Sequence, residues 1–124
     1  MSTPKPSTGE WEILRALWTL GEPATVRQVN ETLGAGTGYT TTLKLMQIMG
    51  EKGLLRRDEA GKAHLYAPAV RQKDLEADAA EDLLDRVFGG SAAALMQRAL
   101  SRRRPKKAEL AELRALLDQF ERSR

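Results

Sequence analysis

The sequence contains no cysteine and a single histidine, His64, among its 124 residues. Without cysteine, disulfide bonds, thiolate metal sites and a cysteine nucleophile are excluded. Nucleophilic catalysis needs a base beside a nucleophile and a third group that orients the base. With one histidine, the chain has a single candidate imidazole for the base. No carboxylates are spaced to converge with His64 as metal ligands. We therefore predict a protein that is not an enzyme and has no catalytic residue, bound metal or cofactor.

Long apolar stretches are also absent. The longest run, Ala92–Met96, is far shorter than the about 20 residues that cross a bilayer. The polar residues 1–9 lack the apolar stretch of a secretory signal, so we expect no membrane insertion and a cytoplasmic location. The composition, 41% hydrophobic and 30% charged, is that of an ordinary globular protein, and the net charge of +3 permits nucleic-acid binding without locating it.

Three short helices and a hairpin are predicted in the first part of the chain. Ser7 with Glu10, and Thr25 with Gln28, have the capping-box spacing that begins a helix. The predicted helices cover residues 8–20, 25–33 and 39–52. The strand candidates are 54–57 and 64–67, joined by the turn-rich linker 58–62. This order predicts a winged helix-turn-helix over residues 1–70.

Residues 71–124 predict an α-helical dimerisation module, so the expected fold is mainly α with a small β-hairpin. The pattern favours a helix over 70–88, a second from a Ser91 cap to about Ser101, and a third with Pro105 in its first turn. Their apolar faces comprise Leu75, Leu83, Val87, Phe88, Leu110, Leu113, Leu117 and Phe120. Because three such faces make a poor core in so short a segment, we predict that a second copy covers them. The alternative is packing against the winged helix of the same chain.

The third helix carries the residues that indicate a function. Its predicted buried face comprises Thr42, Leu45, Met46 and Met49. Its opposite face is polar and comprises Thr40, Thr41, Lys44 and Gln47. Threonine contacts phosphates or thymine methyls, glutamine pairs with adenine and lysine with guanine, so this face suits reading of a major groove. A merely solvated helix face is the alternative.

Four segments form a recognisable set in a fixed order. They are Glu10–Leu14 with Trp18, Tyr39–Gln47 with Glu51–Leu54, Gly61-Lys62 with Tyr66–Pro68, and Phe88–Ser91. Together they cover nearly the whole chain and resemble the penicillinase-repressor family of transcriptional regulators (the BlaI/MecI type). The resemblance implies a homodimer that represses β-lactamase or stress-response genes by binding a palindromic double-stranded DNA operator. It also implies release through proteolysis or another signal, with a membrane sensor-protease pathway as the partner.

The resemblance and the polar helix face together define the predicted DNA contacts. Lys62 would touch the backbone from the wing, and the second helix would meet a phosphate at its N-terminus. The full predicted DNA-binding set is Thr25, Arg27, Gln28, Tyr39, Thr40, Thr41, Lys44, Gln47, Lys62 and His64.

Some positions depart from the family pattern. Lys44 and Ile48 stand where threonine and arginine are frequent, so the operator sequence would differ from the family norm. The region that resembles the inactivating cleavage site reads Met96–Leu100, without the Asn-Phe pair of well-known members. The copper-responsive relatives carry a cysteine cluster near the C-terminus, and its absence here excludes copper sensing through that cluster.

A basic segment, Arg102–Lys107, allows three interpretations: a solvated loop, an auxiliary phosphate contact, and an exposed cleavage site for a trypsin-like protease. For the whole chain, the alternative to a repressor is a winged helix that binds proteins without sequence-specific DNA binding. A ligand-sensing regulator is less favoured, because the C-terminal part is short for a cavity of about 300 Å³.

Overall fold

Three helices open the chain, and the beginnings of the first two are set by the caps that the sequence predicts. The computed structural model describes residues 4–60 and 63–124. The first three helices are α1 (Thr8–Leu20), α2 (Val26–Leu33) and α3 (Tyr39–Lys52). The Ser7 hydroxyl accepts a hydrogen bond from the Glu10 N–H, and the Glu10 carboxylate accepts one from the Ser7 N–H. Thr25 and Gln28 repeat the arrangement at α2, which confirms both predicted capping boxes.

An antiparallel hairpin follows α3 and packs beside it. Its strands are β1 (Leu55–Ala60) and β2 (Ala63–Pro68), and Glu59 stands opposite His64. Ala24, just before α2, adds a bridge to Tyr66 through two backbone hydrogen bonds of 2.8 and 2.9 Å. The predicted linker was wrong for residues 58–60, which belong to β1 because they continue the paired register. The winged helix-turn-helix prediction is confirmed.

The core of the winged helix joins α1, α2, α3 and the hairpin. Its fully buried apolar side chains are Ile13, Leu14, Leu17, Val29, Met46, Met49 and Leu54. Leu75, at the beginning of the next helix, packs into the same cluster and is 3% exposed. Trp11 and Trp18 lie half-buried on α1 against this core, with ring centroids 6.4 Å apart.

Three further helices complete the chain: α4 (Gln72–Phe88), α5 (Ala92–Arg102) and α6 (Lys107–Arg122). The Ser91 hydroxyl accepts a hydrogen bond from the Ala94 N–H at 3.1 Å, which confirms the predicted cap of α5. Pro105 does not lie in the first turn of the last helix as predicted. The backbone of Lys106 is extended and serves as the N-cap, so α6 begins two residues after the proline.

The structure divides the chain into two compact units, Met1–Ala79 and Ala80–Arg124, which we call the N-terminal unit and the C-terminal unit. The division falls inside α4, because Leu75 belongs to the N-terminal core. All residues of the C-terminal unit are described, and none of them is buried. The functional division proposed from sequence, 1–70 and 71–124, stays a prediction.

Candidate DNA interface

The orientation of α3 is fixed by a polar contact as well as by apolar packing. The Thr42 hydroxyl, which is fully buried, donates to Asn30 Oδ1 of α2 at 2.8 Å. It also lies 3.2 Å from the Gly38 carbonyl oxygen at the beginning of α3. Buried polar groups are stable only when they are hydrogen-bonded, so this contact favours one angle between α2 and α3. Sequence reasoning missed Asn30, because no local pattern pairs it with a residue twelve positions away.

The opposite face of α3 is polar and open. Its exposed residues are Thr40, Thr41, Lys44 and Gln47, and Tyr39 in the first turn of α3 is exposed as well. Within the described part of the chain, none of these five side chains makes a hydrogen bond or an ion pair. Their donors and acceptors are therefore available to an external ligand, and they are of the kinds that bind base edges and phosphates.

The N-terminus of α2 is occupied by its own cap. Thr25 Oγ1 accepts from the Gln28 N–H at 3.2 Å, and Gln28 Oε1 accepts from the Thr25 N–H at 2.9 Å. Both oxygens are engaged in capping the helix. The side-chain Nε2 of Gln28 is left for an external contact. Arg27 is exposed and forms no ion pair with the described residues.

The wing carries several charges, and the sequence analysis named only part of them. His64 is exposed, and its Nδ1 lies 3.9 Å from Glu59 Oε1. Arg57, two positions from Glu59 along β1, reaches the same carboxylate at 3.8 Å. The predicted contact Lys62 lies outside the described residues. Arg56 and Arg57 were missed, although two consecutive cations in a strand are a signal for a phosphate contact.

A groove connects the wing with α3. It has a volume of about 560 Å³. Its lining residues are Met46, Gln47, Gly50, Glu51, Leu55, Arg57 and Tyr66. Gln47 of α3 and Arg57 of β1 therefore face one shared space, so a ligand on the polar face of α3 would also meet the wing. The carboxylate of Glu51 lines the same groove and disfavours phosphate at that end of α3.

The C-terminal end of α3 is tied to the beginning of α1. Lys52 Nζ lies 2.7 Å from Glu10 Oε1, and the same oxygen accepts from the Ser7 N–H at 2.8 Å. Burial by itself would raise the pKa of Glu10. The hydrogen bonds from Lys52 and Ser7, together with the positive charge of Lys52, outweigh burial and hold this pKa below its ordinary value. The ion pair therefore links the capping box of α1 to the helix that carries the polar face.

The apolar residues predicted for dimerisation fall into two groups. Leu75 is buried in the N-terminal core, so its side chain is not accessible to a second copy and we leave it out of the proposed interface. The others lie at the surface of the C-terminal unit. Val87, Leu117 and Phe120 are 56%, 67% and 65% exposed, and Leu83 is 38% exposed. Phe88, Leu110 and Leu113 are half-buried.

Comparison with known proteins decides the family. A family model described as "Penicillinase repressor" matches residues 6–119. The chain belongs to the penicillinase repressor family. This match extends over both units, from before α1 into α6. The family consists of transcriptional regulators and not of enzymes, in agreement with the sequence analysis.

Two curated relatives share the printed name "Transcriptional regulator BlaI". They come from the CDC 1551 / Oshkosh and ATCC 25618 / H37Rv strains of Mycobacterium tuberculosis, and each is 36% identical to this chain over 77 residues. The matched region covers 60% of this chain and 56% of each relative. The chain thus spans little more than half the length of these relatives.

Among the described residues, no group of three or more histidine, cysteine, aspartate or glutamate side chains is arranged to hold a metal ion. In the same residues, no helix is long and apolar enough to cross a membrane.

Proposed function

We propose that this chain is a homodimeric transcriptional repressor that binds an inverted-repeat DNA operator. The observation that carries the proposal is the division of α3 into two faces. Thr42, Met46 and Met49 are buried, whereas Lys44 and Gln47 are exposed and have no side-chain partner in the described chain. Such a helix can enter a major groove with its polar face toward the bases. Membership in a family of repressors supports the same function.

The C-terminal unit would join two copies. It has apolar side chains on α4, α5 and α6 but no buried residue, and a segment without a core gains too little to offset the entropy of ordering it. If the apolar faces of two copies pack against each other, each face is buried by the same residues of the other copy, and the resulting dimer has two-fold symmetry. Two winged helices held in this way can reach successive major grooves, about 34 Å apart or a multiple of that distance.

Regulation follows from the same arrangement. Two half-site contacts act as one ligand only while the two copies are joined, so any event that loosens the C-terminal unit lowers the affinity for the operator. Proteolysis through a membrane sensor-protease pathway, or another signal acting on this unit, would release the DNA. We propose β-lactamase or stress-response genes as the targets, by similarity to the transcriptional regulators of this family.

A binding selection from a randomised duplex library tests this proposal. We expect the full chain to enrich an inverted repeat, and the full-length F120D variant to bind that repeat about a hundredfold more weakly, because dimerisation is lost. K44A and Q47A are each expected to cost about 1–3 kcal/mol of binding free energy and to relax specificity at one position. R15A, at an exposed site on α1, is the matched control and should bind like the wild type.

The alternative function makes a different prediction for the same selection. If no sequence is enriched and affinity only falls with salt, sequence-specific repression is wrong. A winged helix used as a protein-interaction module then becomes the better interpretation.

A further inference from the structure

Charge is unevenly distributed along the C-terminal helices. Residues 91–107 contain six cations and no carboxylate. Five of the six cations form the basic segment, which comprises Arg102, Arg103, Arg104, Lys106 and Lys107. All five are exposed. Within residues 80–124 the structure gives an ion pair between Arg86 and Asp82 at 3.2 Å, and none for the basic segment.

The opposite charge is concentrated on α4. Four carboxylates recur at intervals of four, three and four residues, which places them on one face of the helix. This acidic stripe comprises Asp74, Asp78, Glu81 and Asp85. All four residues are exposed, and none of them has an ion pair with a described residue. The cations of α4, Lys73 and Arg86, lie outside this spacing.

We propose that the basic segment of one copy binds Glu81 and Asp85, the part of the acidic stripe that lies in the C-terminal unit, on α4 of a second copy, and so fixes how the two C-terminal units fit together. The inference rests on the homodimer proposed above and identifies its electrostatic contact. A run of five like charges is costly in an isolated chain, and the carboxylates of the acidic stripe are its complement. In a two-fold dimer this contact occurs twice, once for each copy.

An apolar groove beside the basic segment supports a second copy of the chain as the binding partner. The groove between α5 and α6 is lined by Met96, Leu100, Leu113 and Leu116, so an uncovered apolar surface adjoins the basic segment, which connects these two helices. An interface there would combine an apolar centre with a charged rim, as protein interfaces commonly do.

DNA phosphates are the competing partner for the basic segment, and neighbouring carboxylates disfavour them. Glu109 and Glu112 follow within the first two turns of α6 and line the same groove. A phosphate that approached Lys106 or Lys107 would therefore also approach these two carboxylates, and like charges repel. The carboxylates of the acidic stripe would meet the same repulsion near Lys106 and Lys107, so charge reversal, and not this repulsion, distinguishes the two partners.

Charge reversal in the full chain tests the contact. R103E/R104E makes the basic segment acidic, and E81K/D85K makes the acidic stripe basic. At about 0.1 M salt we expect each variant alone to raise the dimer Kd about tenfold or more, and at 1 M salt this difference should largely disappear. Sedimentation in the absence of DNA measures the Kd, and circular dichroism confirms that each variant is helical. R15E/R71E, with the same change in net charge as R103E/R104E but at exposed sites outside the C-terminal unit, should dimerise like the wild type.

Two further experiments, a mixture of the two variants and a chain with all four substitutions, make the test specific for a contact between copies. An equimolar mixture of R103E/R104E and E81K/D85K should form heterodimers in preference to either homodimer, because both contacts are then attractive again. A chain that carries all four substitutions should recover the dimer Kd to within about threefold of the wild type. Rescue by the four-substitution chain without heterodimer formation would place the contact within one copy and overturn the proposal.

The remaining outcomes separate this inference from the function on which it rests. If the wild type is dimeric and R103E/R104E leaves the dimer Kd unchanged, the inference is wrong while the repressor stands. If the same variant instead lowers operator affinity and flattens its salt dependence, the partner is DNA phosphate. A wild-type chain that stays monomeric at all concentrations contradicts the proposed homodimer itself, and the inter-copy contact with it.

Discussion

In the N-terminal unit, apolar side chains from three helices and a hairpin meet in one core, whereas in the C-terminal unit the apolar side chains of three helices remain at the surface. Leu14 and Met46 are completely buried, while Leu117 and Phe120 are about two-thirds exposed. Both units have well-formed helices, so helix formation does not distinguish them. The difference teaches that the first unit can be stable as a single copy, and that the second depends on what covers it.

The largest expected effect is a loss of core packing in the N-terminal unit. Leu14→Ala removes a fully buried side chain and should lower the free energy of unfolding by about 2–5 kcal/mol. Leu116→Ala, at a site 46% exposed in the C-terminal unit, should cost less than about 1 kcal/mol at a protein concentration below the dimer Kd. Urea unfolding followed by circular dichroism measures both. Equal losses would mean that the two units do not differ in the way described.

The next effect concerns the concentration dependence of stability. For the wild type we expect the unfolding midpoint to rise with protein concentration. The apparent free energy of unfolding should increase by up to about 4 kcal/mol when the protein concentration is a thousandfold above the dimer Kd. Phe120→Asp places a charge in the exposed apolar face and should abolish this dependence. Gln119→Asp places the same charge on the neighbouring residue and is the control. A wild-type midpoint that does not change with concentration would show that the C-terminal unit needs no partner.

A smaller effect is expected from the ion pair between α1 and α3. Because the folded pKa of Glu10 lies below its ordinary value of 4.5, the ionised carboxylate stabilises the fold above that pH, and this contribution is lost as pH falls through the folded pKa. Glu10→Gln should cost about 1.5–3 kcal/mol at pH 7, the range for hydrogen bonds to charged groups. It should also remove this part of the acid sensitivity between pH 6 and about pH 3. Urea titrations across this range measure both values, and parallel curves for variant and wild type would contradict the assignment.

The smallest effects come from helix caps, and they compare the two units directly. Ser7 caps α1 and Ser91 caps α5 through the same kind of side-chain hydrogen bond. Each substitution by alanine should cost about 0.5–2 kcal/mol. For Ser7→Ala the loss should be independent of protein concentration, whereas for Ser91→Ala it should appear mainly as a weaker dimer. Thermal unfolding measured over a dilution series distinguishes the two variants. If both losses depended on protein concentration in the same way, the proposed difference between the two units would be wrong.

Local patterns in the sequence predicted the helices well, because caps and apolar spacing act within a few residues. The capping boxes at Ser7 and Thr25, and the buried position of Thr42, were found in this way. Long-range packing was not accessible to the same reasoning. Leu75 and Leu83 belong to one predicted apolar face, yet only Leu75 is buried, because it packs into the core cluster of the N-terminal unit. Periodicity identifies an apolar face without saying which residues cover it.

The candidate site shows the same limit. Lys44 and Gln47 were predicted from the polar face of one helix, and the structure leaves both exposed. Asn30 and Arg57 were missed because their relation to α3 arises only when α2 and β1 pack beside it. Strand residues 58–60 were assigned to a linker on composition, although pairing with β2 holds them in the sheet.

The paired indole rings on α1 also provide an optical reporter. Both tryptophans of the chain, Trp11 and Trp18, stand half-buried against the N-terminal core, so their fluorescence emission follows the opening of that unit, while far-ultraviolet circular dichroism sums the helices of the whole chain. A fluorescence transition that separates from the dichroism transition would show that the two units unfold independently. The native sequence thus permits the N-terminal unit to be observed by itself without an added label.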